Sequence, residues 1–304
     1  MKNMVQLEDL RALCPDCPIR EGVKLDKYTT LRVGGPADGF AEPENEAQLT
    51  ALLQGARRVG VPVLLMGNGS NLLVRDGGFS GLAVHMGRAF SQIRETAAGL
   101  YAQAGALLSA LSRAAQERGL TGLEFAQGIP GTVGGGVYMN AGAYGGELGK
   151  TVSSVRVWDG EQIRHVLAQN MEFAYRHTRA MEENWVILGA EFALQAGDAD
   201  SIAAAMQDFA ARRRDKQPLE YPSAGSFFKR PAGHFAGALI EQAGLKGLTV
   251  GGAQVSEKHA GFLINLGGAT AADFLRLKDQ VQRAVMEKFG VELEPEVRIV
   301  GREA

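Results

Sequence analysis

Between Thr121 and Gly149, ten of 29 residues are glycine, in the run TGLEFAQGIPGTVGGGVYMNAGAYGGELG. No other stretch constrains the fold as much, because glycine favours neither a long helix nor a well-packed strand. A flexible linker would be glycine and serine with few aromatics. Here Ile129, Pro130, Val133, Tyr138, Met139 and Tyr144 are interleaved at irregular spacing, so the segment is expected to be folded. Glycine makes up 40 of the 304 residues, roughly twice its ordinary usage, with only 10 prolines and no three-residue period. Either many turns need a positive φ or backbone must come close to a ligand, and composition leaves both readings open.

Lysine plus arginine numbers 32 against 34 aspartates and glutamates. A net charge of -2 gives no bulk attraction to nucleic acid or to an anionic membrane, and neither partner is expected. A hydrophobic share of 45% and a charged share of 22% are those of an ordinary soluble protein of about two domains. The first residues, MKNMVQLEDL, lack an apolar signal core, and the longest apolar runs are too short to span a bilayer, which implies a cytoplasmic location. Cys14 and Cys17 form an isolated C-x-x-C among prolines, with no second pair and no histidines at metal spacing. Two reduced thiols and no metal are expected.

Apolar periodicity predicts helices over 45–59, opened by Asn45 as cap, over 106–118, over 198–214, over 234–244 and over 270–289. Strands are predicted at 61–66, 152–159, 185–194, 260–266 and 296–300. Alternating signals of both kinds imply a mixed α/β or α+β protein. The turn GNGSNLL at 67–73 has the first two glycines of a dinucleotide fingerprint, but Leu72 stands where the third belongs and no helix follows. It is either a plain hairpin loop or an anion-binding nest of backbone N–H groups.

Several segments together resemble the UDP-N-acetylenolpyruvoylglucosamine reductase family: TTLRVGGPAD at 29–38, GNGSNLLVRDGGF at 67–79, GIPGTVGGGVYMNAGAYGGE at 128–147, YRHTR at 175–179, GSFFKRP at 225–231, GGAQVSEKHAGFLIN at 251–265 and EPEVRIVG at 294–301. They span Thr29 to Gly301 in the family's order. The resemblance implies an α+β fold, with an FAD-binding domain of the vanillyl-alcohol-oxidase (PCMH) type made of two subdomains, and a C-terminal α+β substrate-binding domain. The expected division is 1–200 for the FAD-binding domain, split near 88, then 201–292 for the substrate-binding domain, then 293–304 as a strand returning to the active site. The interval from Phe192 to Lys216 is filled by one predicted helix, as in the family's shorter form, which lacks an inserted tyrosine-bearing loop.

On this resemblance FAD is held non-covalently by two loops. The first is Gly67, Asn68, Gly69, Ser70, Asn71 and Leu72; the second is Gly128, Ile129, Pro130, Gly131, Thr132, Gly134 and Gly135. The catalytic positions matched are Arg176, Ser226 and Glu296. A guanidinium clamps a carboxylate through two bonds and steadies an enolate as charge develops. A positioned serine hydroxyl is a competent acid toward a carbanion. Glu296, expected on the last strand, would polarise the intermediate or relay its proton, with Glu292 and Glu294 facing solvent. Tyr175 adjoins the arginine, and Lys216, Lys229, Arg230 and Lys246 are candidates for the substrate diphosphate. His177, Arg179, Gln254 and His259 receive no role.

The activity implied is the FAD-dependent, NADPH-consuming reduction of UDP-N-acetylglucosamine enolpyruvate to UDP-N-acetylmuramate, a small-molecule reaction of peptidoglycan precursor synthesis, by a monomer. No side chain supplies hydride, so a flavin fed by a nicotinamide is required. Two rivals remain at this point. One is a flavin oxidase on the same fold, and the other is a non-catalytic binder of flavin or nucleotide sugar.

Overall fold

Asn45 begins the first long amphipathic helix as its residue type predicts: its side chain accepts from the Gln48 N–H at 2.9 Å, and Gly60 closes the helix at φ 74°. This helix, α2, spans Glu46–Val59 and follows α1, Lys2–Leu13. The computed structural model describes residues 2–304. By compactness the chain divides into two units. The first comprises the residues up to Ile19, then Ala41–Asn68 and Ala83–Arg212; the second comprises Arg20–Phe40, Gly69–Leu82 and Arg213–Ala304.

In the first unit a five-stranded antiparallel sheet runs in the order Ile163–Leu167, Val152–Trp158, Val186–Ala193, Gly99–Gln103, Ile93–Thr96. Its core face carries Val155, Val157, Ala190, Phe192 and Leu100, packed with Leu108, Leu111 and Ala115 of α3, Leu108–Gln116. The sequence pattern ran this helix from 106. It starts later because Leu107 is still extended and bridges Thr132. A six-residue helix, α4, Val133–Tyr138, lies inside the glycine-rich run. After it come the single turn α5, Arg179–Glu182, and then α6, Ala199–Lys216.

The second unit is built on a four-stranded antiparallel sheet, in the order Ser223–Ser226, Phe262–Asn265, Ala253–Val255, Thr249–Val250. Against it pack α7, Ala236–Gln242, and α8, Ala271–Phe289. Thr270 and Asp273 form a capping box on α8, and the Asp76 carboxylate accepts from the N–H groups of Ala271 and Ala272, both at 2.8 Å. Leu72–Val74 pairs in parallel with Arg298–Val300. Leu31, Val33 and Leu73 share one core with Phe227, Phe274, Val281 and Val297, which explains why two early segments of the chain belong to the C-terminal unit. No helix among the described residues is long and apolar enough to cross a membrane.

The α+β class expected from the sequence is the one observed. Several local readings change, and strands such as Gly99–Gln103 and Ala253–Val255 lie outside the predicted ones. The edge strand Ile163–Leu167 was not predicted, since its alternation is weak and only Ile163 and Val166 are partly covered. Glu296 is not on the last strand, which begins at Arg298. Pro295 has no N–H for a ladder, and the chain there bridges Phe228 before turning into the pairing with Leu72.

Candidate functional site

In the first unit the two glycine loops meet. A Cβ on Gly67 would lie 2.3 Å from Thr132 Oγ1, and the Asn68 amide donates to the Pro130 carbonyl at 2.5 Å. Glycine at 67 is thus required by the neighbouring loop. The start of α4 is tied down in the same way. Val133 N–H donates to Ala106 O and Gly134 N–H to Ala104 O, each at 2.8 Å, so donors that a helix start leaves unmet are satisfied by the strand-to-helix turn before α3. Two glycines of α4 are packed tight, Gly134 against Ala104 at 2.8 Å and Gly136 against Leu108 and Leu148 at 2.9 Å. Gly135 differs: a Cβ there would meet nothing nearer than Thr132 Oγ1 at 3.8 Å, and the residue is exposed. Gly128, at φ 81°, and Pro130 are exposed on the same loop. Beside them the buried Gln127 Oε1 has no partner.

The first loop continues into the second unit at Gly69. There φ is 58°, and a Cβ would sit 2.1 Å from the Tyr28 carbonyl oxygen. Ser70 is half-buried. Asn71 donates through Nδ2 to Glu296 O at 3.1 Å and accepts at its own carbonyl from Arg298 N–H at 3.0 Å, while Leu72 opens the strand paired with Arg298.

Arg176 occupies the second corner of a two-residue turn. Ala174 and His177 exchange backbone hydrogen bonds of 3.1 and 3.2 Å around it, and φ at Arg176 is 54°. Only the second corner of the pair is left-handed, the geometry of a type II turn, in which glycine is the usual occupant. Its guanidinium lies 5.1 Å from the ring centre of Tyr175, which is 55% exposed. His177 pairs with Glu182 and Arg179 with Glu183.

In the second unit Ser226 is exposed at the end of its strand, after Gly225 at φ 74°. Phe227, completely buried, donates to Gly261 O and accepts from Glu296 N–H, both at 2.9 Å. Ser226 and Glu296 therefore flank one anchored residue. Two residues further on, Lys229 N–H donates to Glu294 O at 2.8 Å, and its ammonium pairs with the Glu294 carboxylate. Lys246 is paired with Glu241. The Arg230 guanidinium stands 4.5 Å over the ring of the exposed Phe235, and Lys216 is exposed at the C-terminal end of α6. Gln254 donates to Thr249 Oγ1 at 3.0 Å, and His259 Nδ1 accepts from Gly261 N–H at 3.1 Å. The Cys14 and Cys17 thiols are free and buried; burial pushes both up, Cys17 to about 11.

Residues 37–164 match the family model of an FAD binding domain, and residues 217–300 match that of the UDP-N-acetylenolpyruvoylglucosamine reductase C-terminal domain. The UDP-N-acetylenolpyruvoylglucosamine reductase of Limosilactobacillus fermentum is 46% identical over 301 residues, covering 99% of this chain and 100% of the relative. That of Clostridioides difficile is 48% identical over 289 residues, covering 93% and 95%. The chain belongs to the UDP-N-acetylenolpyruvoylglucosamine reductase family. The crystal structure of the UDP-N-acetylenolpyruvylglucosamine reductase from Thermus caldophilus superposes with a TM-score of 0.80 at 36% identity, covering 93% of this chain and 99% of that one. An oxidoreductase fold with an FAD-binding domain followed by the reductase C-terminal domain is thereby established.

The residues of the first unit fit a flavin nucleotide. Gly128, Pro130 and Gly135 present exposed backbone without a long side chain, and a Cβ on Gly135 would make only an ordinary contact, with Thr132 Oγ1 at 3.8 Å. Gln127 Oε1 is a buried acceptor still lacking a donor. Gly67, Gly69, Gly134 and Gly136 differ in kind, because for them the atom that a Cβ would strike belongs to the protein.

Proposed function

We propose that the protein reduces UDP-N-acetylglucosamine enolpyruvate to UDP-N-acetylmuramate in peptidoglycan precursor synthesis, as a cytoplasmic monomer with non-covalent FAD and with NADPH as reductant. The observation that carries this reading is Arg176. A non-glycine residue kept left-handed at a turn tip is strained, and such strain persists where the side chain is needed. The family match supplies the substrate class.

FAD held by the two glycine loops would supply, when bound, the hydride for the enolpyruvyl methylene carbon that no side chain can provide. As that carbon gains hydrogen, negative charge grows on the adjacent carbon and its carboxylate. The fork of Arg176 binds that carboxylate and holds the charge. Ser226 Oγ–H delivers the proton to the carbon, and Glu296, anchored through Phe227, polarises the hydroxyl or relays the proton to it. Gly67–Leu72 and Gly128–Gly135 hold the flavin nucleotide, and Tyr175 covers the substrate beside Arg176. For the diphosphate, Lys216 comes first, Lys229 and Lys246 would first have to leave Glu294 and Glu241, and Arg230, over the Phe235 ring, is a further candidate. By role, residues 1–200 bind FAD, 201–292 bind the substrate and 293–304 contribute Glu296; the family models at 37–164 and 217–300 fall on either side of that division.

Purified protein should carry a flavin spectrum and turn over NADPH only when the enolpyruvyl substrate is present. Turnover with oxygen alone would favour an oxidase. Flavin without turnover would leave a binding protein. Steady-state turnover should follow ping-pong kinetics, and the two half-reactions should be measurable separately.

A further inference from the structure

We propose that Asn140 and Thr178 are positioning residues that hold Arg176 in its left-handed turn; the inference rests on the carboxylate-clamping role given to Arg176 above. The turn Ala174–His177 is closed by two backbone bonds, which set its two ends but not the left-handed conformation of the arginine at its tip. The explanation lies in the segment that follows α4. Ala174 O, already accepting from His177 N–H, accepts a second bond of 3.0 Å from Asn140 Nδ2. On the far side of the turn, Thr178 Oγ1 donates to Tyr138 O at 2.9 Å. Arg176 is thus bracketed by two side-chain bonds to residues two apart in the sequence.

Three details mark this as a built support. Asn140 is 2% exposed, and its Oδ1 accepts from Gly149 N–H at 2.9 Å. A backbone N–H can only donate and a carbonyl only accept, so the amide has a single orientation and no flip satisfies both ends. Gly149 closes the slot, since a Cβ there would lie 2.8 Å from Phe173 Cβ and 3.1 Å from Asn140 Oδ1. Thr178, completely buried, stands at the N-cap of α5, where threonine ordinarily caps its own helix, yet it makes no cap bond and gives its hydroxyl to Tyr138 instead. Because Asn140 lies two residues past the end of α4, the segment that presents Gly135 also sets the turn that presents Arg176.

The test uses full-length FAD-loaded protein, with FAD content, thermal midpoint, flavin reduction by NADPH and flavin reoxidation by the enolpyruvyl substrate measured for each variant. Thr178→Val keeps the shape and removes the hydroxyl, and Thr178→Ser restores it. Asn140→Asp keeps the acceptor for Gly149 but sets oxygen against Ala174 O; if it does not fold, Thr178 carries the test. Thr178→Val is expected to slow reoxidation by about tenfold or more, because a misplaced clamp loses most at the transition state, while flavin reduction stays within about twofold. Thr178→Ser should recover most of the rate, and in an Arg176→Ala background Thr178→Val should have no further effect. Equal slowing of both half-reactions, or a full additional loss without Arg176, would overturn the positioning role. Should Arg176→Ala itself reoxidise at the wild-type rate, the clamp reading fails. If Arg176→Ala is slow and well-folded Thr178→Val is not, only the positioning proposal fails.

Discussion

Arg176 and the pair Ser226 and Glu296 are held by opposite means. In the first unit the arginine sits on a strained turn fixed by buried side chains, Asn140 and Thr178. In the second, Ser226 and Glu296 hang from the backbone: Glu296 N–H to Phe227 O, Phe227 N–H to Gly261 O, and Arg298 N–H to Asn71 O. Side-chain anchoring gives a single geometry but depends on a few specific residue types. Backbone anchoring tolerates almost any side chain, because the ladder bonds belong to the main chain.

The largest effect expected from this difference is on the rate. Arg176→Gly should slow substrate reduction by about 10²–10³, the usual loss when a preorganised charge stabiliser is removed. It should nevertheless raise the unfolding midpoint. Relief of left-handed strain, about 1–3 kcal/mol, exceeds the added unfolded-state entropy of about 0.4–1 kcal/mol. Ser226→Ala should lose about 10²–10⁴ in rate. Its stability should stay within about 0.5 kcal/mol, since Ser226 is exposed and unstrained. Paired denaturation curves and single-turnover reoxidation check both. A destabilised Arg176→Gly would mean that the turn stores no strain.

Next in size is flavin retention, which separates two adjacent glycines of α4. Gly134→Ala drives a Cβ into Ala104 and should lower the unfolding midpoint. Gly135→Ala gains up to about 1 kcal/mol of helix propensity and clashes with no protein atom, so the fold should persist while FAD content after gel filtration falls. Full FAD occupancy in Gly135→Ala would move the nucleotide away from α4. Sequence alone would have placed Gly134 in the same class as Gly135.

The long amphipathic helices and the strands at 152–158 and 186–193 were legible because their signals are local: Asn45 before a 3.6-residue period, Thr270 before another, Val155 and Val157 alternating within a β-rich run. The two glycine loops and the candidate trio Arg176, Ser226 and Glu296 were assigned through motif order alone. Helix α4 was not, for three consecutive glycines argue against any helix, and what stabilises it is donation from Val133 and Gly134 to carbonyls of Ala106 and Ala104. Asn140 and Thr178 were hidden for a related reason, since their partners lie 34 and 40 residues away. One local sign was present: asparagine is a residue that tolerates the left-handed φ of 43° found at 140. Glu296 left its expected strand because its N–H is taken by Phe227 O, next to the bridge of Pro295 with Phe228, so that pairing with Leu72 begins only at Arg298.

Asn71 gives a smaller test within the second unit. Its side chain adds one bond, to Glu296 O, on top of backbone pairing that would survive its removal. Asn71→Ala should therefore cost about 1 kcal/mol of stability by urea denaturation. Reoxidation should slow less than in Thr178→Val. A loss as large as that of Thr178→Val would show that the second unit also relies on side chains.

The smallest effect separates the two anchorings by pH. Neither Asn140 nor Thr178 titrates, whereas the backbone chain from Glu296 through Phe227 ends on Gly261, whose N–H donates to His259 Nδ1. Burial lowers the His259 pKa, with Lys246 acting in the same direction and Glu241 against it. The folded protein therefore resists a proton that the unfolded chain accepts at about pH 6.5. Wherever the unfolded state binds more protons, stability rises with pH. The contribution of His259 is thus present above about pH 6.5 and is lost as the pH falls from there through its lower folded value. His259→Asn keeps an acceptor near Gly261 N–H and removes the titration, so its urea midpoint should change less than the wild-type midpoint between pH 7.5 and a pH below that range. The substrate half-reaction should show the same flattening, because protonated Nδ1 can no longer accept from Gly261 and the strain passes to Phe227, between Ser226 and Glu296. An unchanged acid limb in His259→Asn would mean that the backbone chain holds Ser226 and Glu296 without help from the imidazole.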